Sequence, residues 1–250
     1  MMEDVILKIE NLRKIYHTPK TEILAIDDFS LDLLDGEFIA IVGPSGCGKS
    51  TILSILSGIE KESNGKIENV KKSNIGYMLQ SDNLFEWRTI LDNCLLGLEL
   101  NGELNEENKK YVLTLLDTYG LKEFVNAYPS NLSGGMRQRV SLIRTLATKP
   151  NILLMDEPFS ALDYQTRLAV SDDVYNIIKK EKKSVIMVTH DIGEAVSMAD
   201  KVIILSKRPT KIKKIIDIKL DEKTNPINNR KDKKFPYYYD LIWKEIDFLV

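Results

Sequence analysis

The stretch GPSGCGKS, Gly43 to Ser50, has the spacing G-x-x-x-x-G-K-[ST]. Glycines at these positions let the backbone curl until successive N–H groups point inward as a nest for an anion. TILSILSGI follows with helical character, and a helix N-terminus adds the positive end of its dipole. Gly43, Pro44, Ser45, Gly46, Cys47, Gly48, Lys49, Ser50 and Thr51 are therefore candidates to hold a nucleotide's phosphates. Lys49 is expected to reach the β- and γ-phosphates and Ser50 to offer its hydroxyl to Mg²⁺. ILLMDEP, residues 152 to 158, is an apolar run ending in Asp156 and Glu157. An Asp-Glu pair after a strand is most often a solvated loop. Beside a phosphate loop it is the expected second half, with Asp156 near the metal and Glu157 placed to polarise a water. Together these stretches imply a nucleoside triphosphatase of the P-loop kind.

NLSGGMRQRV, residues 131 to 140, is a second glycine-rich approach to a helix. Ser133 is a natural N-cap, and Gly134 and Gly135 leave backbone amides open. Met136, Val140, Ile143 and Ala147 then share one helix face. On its own this stretch is equally an ordinary capped helix or a second anion site.

The elements that must position these groups follow from the apolar pattern. FIAIV (38–42), NILLM (151–155), SVIMV (184–188) and KVIIL (201–205) are continuous apolar runs, as strands buried on both faces require. Helical patterns separate them, so the core is α/β with a mainly parallel sheet. VILKIENLRKIY and ILAIDDFSLDL alternate apolar and polar residues, which predicts an antiparallel N-terminal sheet. Between about residues 88 and 147, TILDNCLLGLEL, NEENKKYVLTLLDTYG and LKEFVNAY predict a mainly helical insert, broken at Gly102 and Gly120. IKKIIDIKL predicts a strand, the rest of 207–236 a loop, and YYYDLIWKEIDFL a closing amphipathic helix.

Composition bounds the rest. A net charge of −2 argues against a general nucleic-acid binder. No apolar run approaches the roughly 20 residues that span a bilayer. MMEDVILKIENL is acidic and lacks the apolar region of a secretory signal. Cys47 and Cys94 are the two cysteines, one of them inside the phosphate loop, which predicts free thiols and a reducing compartment.

LSGGMRQRV resembles the signature motif of the ATP-binding cassette ATPases, and ILLMDEPFSALD follows at that family's distance. SALD (160–163) is similar to its D-loop and VTHD (188–191) to its switch-histidine loop. Gln80, ending NIGYMLQ, resembles the Q-loop glutamine, and Tyr16 the aromatic that stacks on adenine. With these motifs in order over residues 5 to 206, the chain is identified as a member of that family. The resemblance implies one nucleotide-binding domain over residues 1–250, with a helical subdomain at about 88–147 and a short C-terminal extension at about 207–250. It implies ATP and Mg²⁺, the metal being held by Ser50, Gln80 and Asp156. Glu157 becomes the general base, His190 the γ-phosphate contact and Gln80 the γ-phosphate sensor. It further implies a head-to-tail homodimer in which Ser133, Gly134, Gly135 and Asp163 serve the partner's nucleotide. The residues alone leave Tyr16 open to simple packing at a strand end, and make His17 a surface residue beside a turn.

The segment LFEWRTILDNCLLGLEL looks like that of the nitrate/sulfonate/taurine/bicarbonate importer ATPases. Leu84, Phe85 and Trp87 are expected to form an exposed apolar cluster on a loop, the mark of an interface; the bland alternative tucks them into the helical insert. Glu86 stands where that subgroup commonly has proline, which predicts a less rigid loop. The tail resembles the subgroup's short extension, with Lys207 to Lys214 either a solvated face or a contact for anionic lipid. The resemblance thus implies an importer subunit at the cytoplasmic face of a bacterial membrane. Its partners would be two permease subunits and, indirectly, an extracellular solute-binding protein, with no nucleic acid. A soluble cassette ATPase and an exporter subunit are the competing readings. No long coiled-coil insertion or second cassette supports the former.

Overall fold

A computed structural model describes residues 4–19 and 21–246. The alternating N-terminal stretches become β1 (Val5–His17) and β2 (Glu22–Leu34), paired antiparallel. The continuous apolar runs become β3 (Phe38–Val42), β6 (Ile152–Asp156), β7 (Ser184–Val188) and β8 (Lys201–Leu205). Two strands with weaker patterns are β4 (Asn64–Asn69) and β5 (Ile75–Met78). The apolar pattern does not predict β4, which completes the antiparallel sheet in the order β2-β1-β4. The second sheet runs β5-β6-β7-β3-β8-β9, where β9 (Ile212–Asp217) is the antiparallel edge on otherwise parallel strands.

Every residue of β3, β6 and β7 is buried, because both faces of the parallel sheet are covered. Phe38, Ala40 and Val42 pack towards the helical side, whereas Ile39 and Ile41 pack beneath the antiparallel sheet with Leu12 and Phe29. The helical side holds α2 (Ile90–Leu100), α3 (Glu106–Thr118), α4 (Gly134–Ala147) and α5 (Tyr164–Lys180). α1 (Lys49–Leu56) leaves β3 on the other face, and α6 (Ile192–Met198) follows β7.

LKEFVNAY is not the helix its spacing suggests. Beyond a 3-10 turn at Lys122–Phe124, the carbonyls of Ala127 and Val125 accept from Ile90 and Leu91 N–H at 2.9 and 3.0 Å. They satisfy the first turn of α2, which otherwise leaves amides without partners. In the tail, α7 (Pro226–Asn229) interrupts the expected loop, and α8 (Phe235–Glu245) is the closing helix. The end of that predicted helix, residues 247–249, lies outside the described residues. No described helix is long and apolar enough to cross a membrane.

Candidate functional site

β3 ends at Val42 and α1 begins at Lys49, so the phosphate loop spans the step from strand to helix. Gly48 occupies the N-cap with φ 119°, a left-handed conformation that disfavours a side chain. No side-chain hydrogen bond caps the helix. Lys49 is 7% exposed and its Nζ donates to the carbonyls of Gly43 and Pro44 at 2.9 and 3.1 Å. Behind it, Ser50 Oγ donates to Asp156 Oδ1 at 3.1 Å. Burial pushes the Asp156 carboxyl above its ordinary range; the Ser50 hydroxyl opposes that and the Glu157 charge adds to it.

A cavity of about 610 Å³ opens over this loop. It is lined by Gly43, Ser45, Gly46, Gly48, Lys49, Ser50 and Thr51, and by Glu157 and His190 from the ends of β6 and β7. Two further lining residues, Arg208 and Ile246, come from the C-terminal extension. Cys47 turns the other way. It is 1% exposed in the core, and burial raises its thiol above the ordinary range. Cys94 is buried too, its thiol pushed up to about 12, and both cysteines are free.

Glu157 holds φ at 44°, unusual for a residue with a side chain, so the turn after β6 carries backbone strain. Its Oε2 lies 3.0 Å from His190 Nδ1 and 3.5 Å from Gln80 Nε2. Gln80 also donates to Ser160 Oγ at 3.4 Å. Three elements far apart in sequence thus converge on one carboxylate oxygen. Ser50, Asp156 and Gln80 carry oxygen atoms of the hard type that Mg²⁺ prefers. Among the described residues no group of three or more His, Cys, Asp or Glu comes together as a metal site.

Under His190 lies a buried polar group. Thr189 Oγ1 donates to Glu194 Oε2 at 2.6 Å and accepts from Asp191 N–H at 3.0 Å. Burial raises the Glu194 carboxyl to about 7. Arg167 joins this group to the D-loop, donating to Leu162 O at 2.9 Å while pairing with Asp191 at 3.4 Å.

The signature loop sits apart from the cavity. Ser133 and Gly134 are exposed, and Ser133 Oγ caps α4 by accepting from Met136 N–H at 3.3 Å. Gly135 is needed for packing: a Cβ there would lie 2.8 Å from Val170 of α5. Asp163 caps α5, accepting from Gln165 and Thr166 N–H at 3.1 Å, and the Thr166 hydrogen bonds hold its carboxyl below the ordinary range. Tyr16 stands at the end of β1, half-buried, with Lys14 Nζ 4.8 Å from its ring centre; it does not line the cavity. His17 is exposed and paired with Glu22 at 3.1 Å.

The loop after Gln80 departs from expectation. Leu84 is only 7% exposed and belongs to the core, because Asp82 Oδ1 accepts from its N–H and turns the chain inward. The exposed apolar side chain is Trp87, 74% exposed and stacked on a half-buried Phe85 with ring centroids 4.8 Å apart. Glu86 does not loosen the loop: Arg137 of α4 donates to Glu86 Oε1 at 2.7 Å and to both Asp82 oxygens at 2.7 and 3.1 Å. Arg144 adds bonds to the Asn83 and Asp82 carbonyls at 2.7 and 2.6 Å. The basic stretch Lys207 to Lys214 is likewise no mere solvated face. Arg208 donates to Gly46 O, Lys211 pairs with Asp27, and Lys214 with Glu245. Arg137 lies within the signature-like LSGGMRQRV, but no sequence motif marks Arg144 or Arg208, and each of the three acts on residues distant along the chain.

The ABC transporter family model matches residues 26–160. The uncharacterised ABC transporter ATP-binding protein YtlC of Bacillus subtilis is 42% identical over 250 residues, covering 97% of this chain and 96% of its own. The nitrate import ATP-binding protein NrtD of Synechocystis is 37% identical over 242 residues, with 93% and 91% covered. Among solved structures, the dimeric ATP-binding cassette MJ0796 in a post-hydrolysis state with ADP and Pi superposes with a TM-score of 0.72 at 31% identity, covering 85% of this chain and 99% of that one. With these matches added to the phosphate-loop geometry, the chain belongs to the ABC transporter family of ATP-binding proteins and is an ATPase.

Proposed function

We propose that two copies of this chain power a membrane importer, seated at the cytoplasmic face of the membrane under two permease subunits. A solute-binding protein outside would deliver a small solute bearing an anionic group, such as nitrate, a sulfonate or taurine. The nitrate importer relative supports this reading, and the dimeric cassette structure supports the homodimer.

ATP lies over the phosphate loop, its polyphosphate on the nest and Lys49, its adenine towards Tyr16. Ser50, Asp156 and Gln80 would hold Mg²⁺, which neutralises charge on the β- and γ-phosphates. Glu157 takes the role of general base for the attacking water. Its Oε2 is shared with His190 and Gln80. The carboxylate keeps further lone pairs on Oε2 and on Oε1 that can accept from the attacking water. Ser133 and Gly135 of the second copy close the open side, and Asp163 meets the partner. Loss of the γ-phosphate contacts then releases the clasp.

One observation carries the transport reading. The stacked Phe85–Trp87 pair lies on the loop that begins at the γ-phosphate sensor Gln80 and is tied by Arg137 and Arg144 to the signature helix. A membrane subunit seated on Trp87 would therefore feel both phosphate contacts. Co-expression with candidate permeases and recovery in detergent tests this. Trp87→Asp should abolish co-purification and leave ATP binding by the isolated chain within about twofold. Equal recovery of the variant complex would remove the docking role. Uptake of labelled nitrate, sulfonate or taurine into vesicles then decides the solute.

A further inference from the structure

We propose that Arg208 is a nucleotide-binding residue, a second fixed cation that the β8–β9 hairpin delivers to the phosphates of ATP. The proposal rests on the phosphate loop being the ATP site.

The hairpin tip is held firmly. Ser206 N–H donates to Lys211 O at 3.0 Å, and Lys211 N–H returns to Ser206 Oγ at 2.9 Å. Thr210 pairs with β2 in both directions: its N–H donates to Ala25 O, and its carbonyl accepts from Asp27 N–H, each at 2.9 Å. The Thr210 side chain is fully buried, its Oγ1 3.0 Å from where a Cβ on Gly48 would stand. The tip is thus wedged between β2 and the phosphate loop, which fixes the point from which the exposed Arg208 side chain reaches out.

From there Arg208 Nη2 donates to the carbonyl of Gly46 at 2.6 Å, and the side chain lines the same cavity as Lys49, Ser50, Glu157 and His190. A guanidinium carries five N–H donors in a planar fork. Among the described residues only the Gly46 carbonyl is bonded to it. The remaining donors are available to the cavity, in the geometry that suits phosphate oxygens. Among the described residues, Lys49 is the only other Lys or Arg lining that cavity. A polyphosphate carries more charge than one ammonium balances.

The competing role is a staple that merely shapes the loop through the Gly46 bond. Salt dependence separates the two, since a loss that comes only from a misshapen loop stays the same at low and high salt, whereas a lost phosphate contact is screened, and a gap that does not narrow assigns the staple. Purified full-length protein is titrated calorimetrically with ATP at low and high salt. Arg208→Ala and Arg208→Gln should both weaken ATP about tenfold, the loss of one charge-assisted phosphate bond. Arg208→Lys should recover part of it, and the gap should narrow in high salt as screening sets in. Parent affinity in Arg208→Gln, or in Arg208→Ala, overturns the proposal. If Arg208→Ala fails to fold, the Gln and Lys variants carry the test. Lys49→Ala is the control: if it too binds ATP like the parent, the phosphate-loop reading fails instead.

Discussion

Two glycine-rich loops in this chain each lead into a helix, and they end differently. The phosphate loop hands α1 an N-cap glycine with no side-chain cap, over a cavity of about 610 Å³. The signature loop hands α4 a serine whose hydroxyl already caps the helix, on an exposed surface. An uncapped helix N-terminus calls for an acceptor from outside. A self-capped one already has one of those amides satisfied, here Met136 N–H by Ser133 Oγ. The first loop is therefore a committed anion site within one chain. The second can take a ligand or do without one, which suits a contact that forms and breaks in each cycle. The difference lies in one residue type at the cap, Gly48 against Ser133.

The strongest way to break this comparison is at the committed half. Glu157→Gln keeps the size of the side chain and its contact with His190, but glutamine cannot take a proton. Hydrolysis should fall about a thousandfold, as expected for loss of a general base. ATP affinity should stay within about twofold, and the ATP-bound dimer should accumulate on size exclusion. A Glu157→Gln protein that turns over ATP at the parent rate would remove the base from this carboxylate.

Ser133→Asp probes the optional half. Aspartate caps helices as well as serine does, so α4 should keep its stability. Its charge would face the partner's γ-phosphate. Hydrolysis should drop about a hundredfold or more, the scale of losing an anion-stabilising donor. ATP binding to the separate chain should be unchanged, because Ser133 lies outside the cavity. Parent-level hydrolysis would mean that one chain suffices for catalysis.

What could be read from the sequence follows the same physics. FIAIV and SVIMV were legible because burial on both faces demands unbroken apolar runs. NGKIEN was not: β4 is an edge strand of alternating exposed and half-buried residues, with Ile67 its one apolar side chain. LKEFVNAY has helical spacing, but its carbonyls bond the start of α2, and nothing in the local pattern signals that distant demand. Leu84 reads like its neighbours Phe85 and Trp87 until the Asp82 turn sends it inward. Of the site, Lys49, Ser50, Glu157 and His190 were visible as motifs and meet at one cavity. The arginine contacts were invisible because the partners are remote. Arg208 reaches Gly46 across 162 positions and Arg137 reaches Asp82 across 55.

The smallest expected effect sharpens the contrast through pH. Glu194 lies beneath the His190 loop, 3% exposed, and burial raises its carboxyl from an ordinary 4.5 to about 7. Between those values the folded chain holds a proton that the unfolded chain has released. Stability from this group is therefore full below about 4.5 and falls as pH rises towards 7. The change is at most about 3 to 4 kcal/mol, since each of the roughly 2.5 pH units between the two values contributes about 1.4 kcal/mol. Glu194→Gln cannot ionise and still offers Thr189 an acceptor, so urea unfolding of this variant should lose that slope and leave it more stable than the parent at about pH 8. Ser133→Asp should keep the parent's slope across the same window, because its loop contains no buried carboxylate. A parent-like slope in Glu194→Gln would show that the buried half is not where the pH sensitivity resides.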